Sequence, residues 1–211
     1  MQTYFTETPV ATFILAITVI SSIYAFSNPN LLGKFMLHPY SVYRKRHLYT
    51  VLTSALIHRD WGHLLFNMLT FFFFGFPLER LLVSISSWGH LQFFFLYFLG
   101  IILSDLPTIF KQKDRGHYFS LGASGAICTV LFSFILFNPG MSIYLFFIPI
   151  PIPAVIFGPI YLIYCAWAAK SAQDHINHDA HFYGAITGVV LTILVYPGVL
   201  PLFFDNLTHL F

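Results

Sequence analysis

The spacing of charged side chains is the feature that most constrains the fold of this chain. Lysine, arginine, aspartate and glutamate make up 9% of its 211 residues, whereas about a quarter of the residues in a soluble domain are charged. A charge at the centre of a bilayer costs about 2.5 to 3.5 kcal/mol on insertion scales. Long intervals without charge therefore predict segments that span a membrane. These intervals are residues 8–33, 61–78, 81–104, 116–169 and 180–204.

The intervals predict six transmembrane helices, because a spanning helix needs about 20 residues. Four intervals hold one helix each. The interval 116–169 holds two, with the turn sequence Asn138-Pro139-Gly140 after the first and the proline-rich IPIPIP (Ile148–Pro153) before the second. The expected helices are 9–26, 62–82, 90–106, 123–137, 154–169 and 180–196. The predicted fold class is an all-α polytopic membrane protein, with residues 1–211 forming a single domain.

Composition excludes other classes of function. The net charge is +2, and the densest basic cluster is Arg44-Lys45-Arg46, which lacks the interleaved aromatic residues of a nucleic-acid site. We therefore expect the lipid bilayer, and not nucleic acid, as a partner. Cys128 and Cys165 lie in apolar segments without metal or redox spacing, so we interpret them as small hydrophobic residues.

A few polar side chains lie in or at the mouths of the predicted helices, where polar groups are candidates for function. Ser124 opens the fourth helix and His181 opens the sixth. His63 and Asn67 open the second helix and, being four residues apart, share one helix face. Because the even-numbered helices all start from one side of the membrane, we expect these four side chains to lie near the same membrane face.

Glycines accompany these polar residues and are expected to permit close packing. One pair flanks Ser124 and keeps side-chain bulk away from its hydroxyl. The other pair follows His181 at a spacing that lets helices approach closely. The four positions are Gly122, Gly125, Gly184 and Gly188.

Each polar residue alone has a structural interpretation, such as a serine that bonds its own helix carbonyls. Together they would form a polar pocket that lowers stability unless it is used. Such a pocket supports acyl transfer, in which a histidine activates a serine and Asn67, His63 and the Ser124 N–H hold the oxyanion. Asp179 lies about 200° around the helix from His181, which favours a Ser-His dyad over a triad.

Three motifs occur in order on the second, fourth and sixth predicted helices: GHLLFNM (62–68), GASG (122–125) and AHFYGAITG (180–188). In this combination they resemble those of the rhomboid intramembrane serine proteases. The resemblance implies that Ser124 is the nucleophile, His181 the base, and His63 and Asn67 the groups that stabilise the oxyanion. It also implies that a monomer, without metal or other cofactor, cleaves single-span membrane proteins in or near their transmembrane segments.

Other positions also bear on this resemblance. Those that agree with the family pattern are Thr53 and His58 in the first loop and the G-x-x-x-E of residues 75–79. Tyr49-Thr50 departs from it, because many relatives carry Trp-Arg there. Cys128 also departs, because relatives have an aromatic residue one turn after the nucleophile that stacks on the catalytic histidine. Some other group is therefore expected to fix the imidazole.

The distribution of basic residues conflicts with the orientation of the family. Rhomboids place the loops before helices two, four and six outside the cytoplasm, yet the positive-inside rule would place these loops inside. We keep the family orientation and expect a multi-pass protein of a bacterial plasma membrane with cytoplasmic termini. These loops hold nine of the ten basic residues: Lys34, Arg44, Lys45, Arg46, Arg59, Lys111, Lys113, Arg115 and Lys170.

Two other interpretations stay open. His175, His178 and His181 form H-x-x-H-x-x-H with acidic neighbours, and such ligands suit zinc or iron in a membrane metalloenzyme. Residues six apart lie about 120° from one another on a helix, and the chain has no HExxH, which disfavours this interpretation. The second is a non-catalytic rhomboid-like protein that binds transmembrane helices; such relatives typically lack the serine or the histidine, and this chain has both.

Overall fold

The structure is a computed structural model that describes residues 2–145, 148–171, 174, 176–208 and 210. Helices dominate these residues, and two strands form a hairpin. In chain order the elements are α1 (Gln2–Glu7), α2 (Pro9–Phe26), α3 (Pro29–Phe35), α4 (Pro39–Tyr43), α5 (Thr50–Thr53), a 3-10 turn (Ser54–Leu56), α6 (Trp61–Ile85), α7 (Gly89–Lys111), α8 (Ser124–Phe137), β1 (Ser142–Leu145), β2 (Ile148–Pro153), α9 (Ala154–Ser171), α10 (His178–Val195) and α11 (Val199–Thr208).

Among the described residues, five helices are long and apolar enough to cross a membrane, namely α2, α6, α7, α9 and α10. A sixth apolar helix, α8, is shorter. The predicted six-helix membrane bundle is confirmed in this form. The predicted bounds of α2 are also correct, because Pro9 at its first turn and the end of the apolar run near Phe26 both mark them.

Side-chain caps move two helix starts from their predicted positions. Asp60 accepts a hydrogen bond from the His63 backbone N–H (2.8 Å), so α6 begins at Trp61 and not at residue 62. Asn177 accepts from the Ala180 N–H (3.2 Å), so α10 begins at His178, two residues earlier than predicted. Capping satisfies N–H groups that lack a partner in the first helical turn.

Helix α8 is short, central and buried. Its 14 residues correspond to a length of about 21 Å, which is less than the hydrocarbon thickness of a bilayer, about 30 Å. Twelve of these residues are buried. At least one end of α8 must therefore lie within the hydrocarbon thickness, and irregular backbone is tolerated there only where protein or a water-filled cavity surrounds it.

The segment between α2 and α6 contains short helices and packs against the residues that precede α8. Leu37 and Ser120 exchange two backbone hydrogen bonds, of 2.8 and 3.1 Å. The Gly122 N–H donates to the Ser54 carbonyl oxygen at 2.9 Å. These bonds fix the segment immediately before Ser124.

The buried carboxylate of Glu79 connects the starts of two helices to α6. It accepts hydrogen bonds from the N–H groups of Val10 (3.2 Å) and Ala11 (2.7 Å), in the first turn of α2. Its Oε1 also lies 2.6 Å from His90 Nδ1, in the first turn of α7. Free N–H groups and the helix dipole make the first turn of α2 a favourable place for a carboxylate.

One hairpin departs from the all-α prediction. Strands β1 and β2 pair antiparallel, with Ser142 opposite Pro153 and Ile143 opposite Ile152. The IPIPIP segment, expected as the proline-rich connection before the fifth transmembrane helix, forms β2, although proline lacks an N–H. Because isoleucine and proline alternate, every second residue still has an N–H. An edge strand that pairs on one side needs an N–H only at every second residue. The short helices α1 and α11 were also not predicted.

Candidate active site

Ser124 is the first residue of α8, and Gly122 shapes the turn that leads into it. The Gly122 φ angle is +116°, a conformation that favours glycine. A Cβ at this position would lie 2.7 Å from Cε1 of His63. Only a glycine therefore lets the imidazole of His63 reach the backbone two residues before Ser124. The Ser124 side chain is half-buried.

Glycines on α10 bring this helix into backbone contact with α8. A Cβ on Gly184 would collide with the carbonyl oxygen of Gly125, and a Cβ on Gly188 would collide with that of Thr129. The Thr129 hydroxyl donates to the Gly184 carbonyl oxygen at 2.9 Å. Because contacts advance along both helices in the same direction, α8 and α10 run parallel and their starts lie side by side.

This packing places the turn that carries His181 beside the turn that carries Ser124. A Cβ on Gly125 would lie 3.4 Å from the carbonyl oxygen of Ala180, the residue before His181. Within the part of the chain that the structure describes, the Ser124 hydroxyl forms no hydrogen bond. Catalytic hydrogen bonds are often long before substrate binds, so the arrangement is compatible with a dyad.

Tyr161 of α9 contacts the imidazole of His181. Its hydroxyl oxygen lies 3.2 Å from His181 Nδ1 and 3.3 Å from the Cys128 sulfur. The two rings are nearly parallel, with an interplanar angle of 18° and centroids 6.4 Å apart. The aromatic residue that the sequence lacks at position 128 is thus supplied by the next helix.

Sequence reasoning missed Tyr161, although one signal was available. Its hydroxyl is a polar group in the middle of an apolar helix, and such a group needs a partner. The pattern could not show which helix face turns toward α8, because apolar residues surround α9 on every side.

His63 and Asn67 lie on one face of α6, as their spacing predicted. The Asn67 amide donates one hydrogen to its own helix, at the His63 carbonyl oxygen (2.8 Å), and its second hydrogen is available for another acceptor. The imidazole of His63 packs edge to face against His58, with centroids 4.9 Å apart. Burial, and to a lesser degree the neighbouring His63, lower the pKa of His58 to about 3, so His58 is neutral at pH 7.

A small polar cavity adjoins Ser124 on the side of α7. Its polar lining residues include Ser54, Ser104, Asp105, Ser120 and Asn177. These residues were not predicted to form a site, because Asp105 lies near the end of a predicted helix and the serines are scattered along the chain. A cavity with several polar partners can hold water, which makes it a source of water close to the serine.

Of the H-x-x-H-x-x-H pattern, His175 lies outside the described residues. His178 and His181 do lie close together, with ring centroids 5.8 Å apart. Cys165 of α9 joins them, and one ligand atom from each of the three residues lies within 4.8 Å of the other two. Asp174 binds Nε2 of His178 at 3.1 Å.

A bundle of apolar helices around a short, buried helix defines a polytopic membrane protein, and in this one the turn of Ser124 lies against the turn of His181. The chain belongs to the rhomboid family, since residues 45–198 match the family model described as the Rhomboid domain. The matched region contains Ser124, His181, His63 and Asn67.

Curated relatives also carry rhomboid names. The chain is 26% identical over 170 residues to RHOMBOID-like protein 12, mitochondrial, of Arabidopsis thaliana, and 31% identical over 147 residues to Rhomboid protein 1, mitochondrial, of Saccharomyces cerevisiae. These alignments cover 74% and 67% of this chain but 50% and 40% of the two relatives, so the chain spans half of their length or less. It is 29% identical to the rhomboid relative YdcA of Bacillus subtilis, with 92% of each chain covered.

The close approach of α8 and α10 predicts a specific cost for a single methyl group. We expect Gly184→Ala to lower the free energy of unfolding by about 1 to 3 kcal/mol, because the new Cβ forces the helices apart. Gly33→Ala is the matched control, since a Cβ there meets nothing within 4 Å on helix α3, and alanine favours a helix over glycine. SDS-induced unfolding in detergent micelles measures both. A Gly184→Ala variant as stable as Gly33→Ala would contradict the packing described here.

Proposed function

We propose that this chain is an intramembrane serine endopeptidase that cleaves single-span membrane proteins in or near their transmembrane segments. The observation that carries the proposal is the backbone contact between α8 and α10, which sets the turn of Ser124 against the turn of His181. Membership of the rhomboid family supports the same activity. Ser124 acts as the nucleophile and His181 as the general base.

The contact with Tyr161 suits His181 to this role. A base must present an unprotonated nitrogen to the serine, and the hydrogen bond at the other nitrogen decides which one that is. We assign the proton to Nδ1, which donates to the Tyr161 oxygen 3.2 Å away, and Nε2 is then free to accept the proton of Ser124. The Tyr161 hydroxyl in turn donates to the Cys128 sulfur. Tyr161 therefore fixes the tautomer of His181, as an aspartate does for the histidine of a Ser-His-Asp triad.

The reaction then follows the chemistry of acyl transfer. Ser124 Oγ attacks the substrate carbonyl carbon while His181 takes its proton, and the protonated imidazole later gives that proton to the leaving amine. A water molecule, taken from the polar cavity beside Ser124, hydrolyses the acyl-enzyme with His181 again as base. No metal or other cofactor takes part in these steps.

The oxyanion of each tetrahedral intermediate lies near the start of α8. The Ser124 N–H belongs to the first turn of that helix, where N–H groups lack helical partners and the dipole favours an anion. Asn67 has one amide hydrogen to offer, and the imidazole of His63 lies against Gly122. One such donor is typically worth about 3 kcal/mol in the transition state.

We further propose the family orientation, with both termini in the cytoplasm and the site open to the opposite face, for a protein that acts as a monomer. The basic loops oppose this orientation under the positive-inside rule. A topology reporter fused after Phe211 distinguishes the two, and an external C-terminus would contradict the proposed orientation without affecting the chemistry.

Loss of the dyad should abolish cleavage while the fold persists. We expect the purified wild-type chain to cleave a model single-span membrane protein in proteoliposomes, and Ser124→Ala and His181→Ala to be inactive, because either change removes the activated nucleophile. SDS gels and mass spectrometry of the fragments measure the reaction. Ser84→Ala, at an exposed serine far along α6 from its start, is the control and should cleave at the wild-type rate.

Two outcomes of this experiment would reject the protease. Cleavage by Ser124→Ala at the wild-type rate would show that the activity belongs to another group. A wild-type chain that binds the substrate but cuts nothing would instead support the non-catalytic helix-binding protein.

Deletion of one hydroxyl tests the orienting role of Tyr161. We expect Tyr161→Phe to lower kcat about tenfold or more with little change in KM, because the ring stays against His181 while the bond to Nδ1 is lost. Tyr164→Phe is the control, since this half-exposed tyrosine lies one turn away on α9. Equal kcat values for the two variants would show that the Tyr161 hydroxyl does not position the imidazole.

A further inference from the structure

We propose that Cys165, His178 and His181 form a zinc-binding site that, when loaded, holds the protease inactive. The inhibitory consequence rests on the function proposed above, because His181 belongs both to this site and to the dyad. The binding of zinc does not rest on it. The proposed catalytic steps do not need the metal, so bound zinc inhibits the reaction and does not assist it.

The three ligands come from two packed helices. Cys165 lies on α9, and His178 and His181 lie one turn apart on α10. One ligand atom from each lies within 4.8 Å of the other two. Tetrahedral Zn²⁺ with bonds of 2.0 to 2.3 Å holds its ligand atoms about 3.5 Å apart, so small side-chain rotations bring the cluster to coordination distance.

Burial of these side chains points to a ligand. Cys165 is fully buried and His178 is 4% exposed. Nδ1 of His178 is buried and has no hydrogen-bond partner among the described residues. A buried nitrogen without a partner lowers stability, and a metal ion at Nδ1 would give this nitrogen the missing interaction.

Asp174 prepares His178 for this role. Its two carboxylate oxygens lie 3.2 and 3.1 Å from Nε2. An Nε2–H that donates to this carboxylate leaves Nδ1 unprotonated, with its lone pair available. Histidines that bind metals almost always donate their other N–H to a carboxylate, a carbonyl or water. Asp174 is also 40% exposed and thus lies between solvent and the buried cluster.

The donor set favours zinc over the abundant hard cations. A thiolate and two imidazoles suit Zn²⁺, whereas Mg²⁺ and Ca²⁺ prefer oxygen ligands. The thiol of Cys165 loses its proton to water when the metal binds. Three protein ligands leave the fourth tetrahedral position for a water molecule.

Zinc at this site would remove the general base whichever nitrogen of His181 it takes. A neutral imidazole has one unprotonated nitrogen, and the metal uses that lone pair. Binding through Nε2 blocks Ser124 directly. Binding through Nδ1 displaces the contact with Tyr161 and leaves the proton on Nε2, which then cannot accept another from the serine.

The chain has two cysteines, so replacing each in turn shows which sulfur binds the metal. Purified full-length protein is titrated with Co²⁺, which occupies zinc sites and gives a thiolate-to-metal charge-transfer absorption in the near ultraviolet when sulfur coordinates it. We expect this absorption in the wild type and in Cys128→Ala, and its loss in Cys165→Ala. Zn²⁺ should displace the Co²⁺ and abolish the absorption. This readout does not require the protein to be a protease.

A second measurement tests the inhibition. We expect Zn²⁺ to inhibit cleavage of the model substrate by the wild type, and the Zn²⁺ concentration for half-inhibition to rise at least about tenfold in Cys165→Ala and in His178→Gln. Without zinc, Cys165→Ala should cleave at the wild-type rate. Cys165→Ser, which keeps the side-chain volume, replaces it if the alanine variant is unstable.

The outcomes separate this proposal from the proposed function. A charge-transfer band in a wild type that stays inactive after the metal has been removed supports the metal site and rejects the protease. Absence of the band in the wild type, or the same band in Cys165→Ala, overturns the metal site even if the enzyme is active. Equal zinc sensitivity of wild type and Cys165→Ala overturns the inhibitory role.

Discussion

The backbone contact between α8 and α10 is the constraint on which the rest of the structure depends. It exists because Gly184 and Gly188 have no side chain where the carbonyl oxygens of Gly125 and Thr129 approach. The hydrophobic effect contributes little to the association of helices within lipid, so packing and interhelical hydrogen bonds hold them together. The same contact sets the register of the two helices, and therefore the position of Ser124 relative to His181.

Separate polar contacts around this helix pair position the other parts of the site. Glu79 connects the starts of α2 and α7 to α6, Asp60 caps the helix that carries His63, and Gly122 lets that imidazole lie against the backbone two residues before Ser124. Tyr161 reaches His181 from α9. Helix α9 also carries Cys165, so the tyrosine that contacts the base and one ligand of the proposed metal site lie on the same helix.

The sequence predicted the helical bundle well, because charged side chains are excluded from the segments that cross the lipid. The hairpin was not predicted, since proline-rich IPIPIP has a low strand propensity. It pairs with β1 through residues that alternate with the prolines. The four candidate side chains were found from their polarity, and the structure gathers them at one end of the bundle. Tyr161 was missed because its contact with His181 depends on which face of α9 meets α8 and α10, and a uniformly apolar helix does not encode that face.

Chemical labelling of the serine tests most directly whether helix packing creates a nucleophile. A fluorophosphonate reacts only with an activated hydroxyl, and mass spectrometry of the digested protein locates the adduct. We predict one adduct, on Ser124, which forms at the wild-type rate in Gly33→Ala, far more slowly in folded Gly184→Ala, and not at all in His181→Ala. An unlabelled Ser124 in the wild type, or equal labelling of wild type and His181→Ala, would contradict the account.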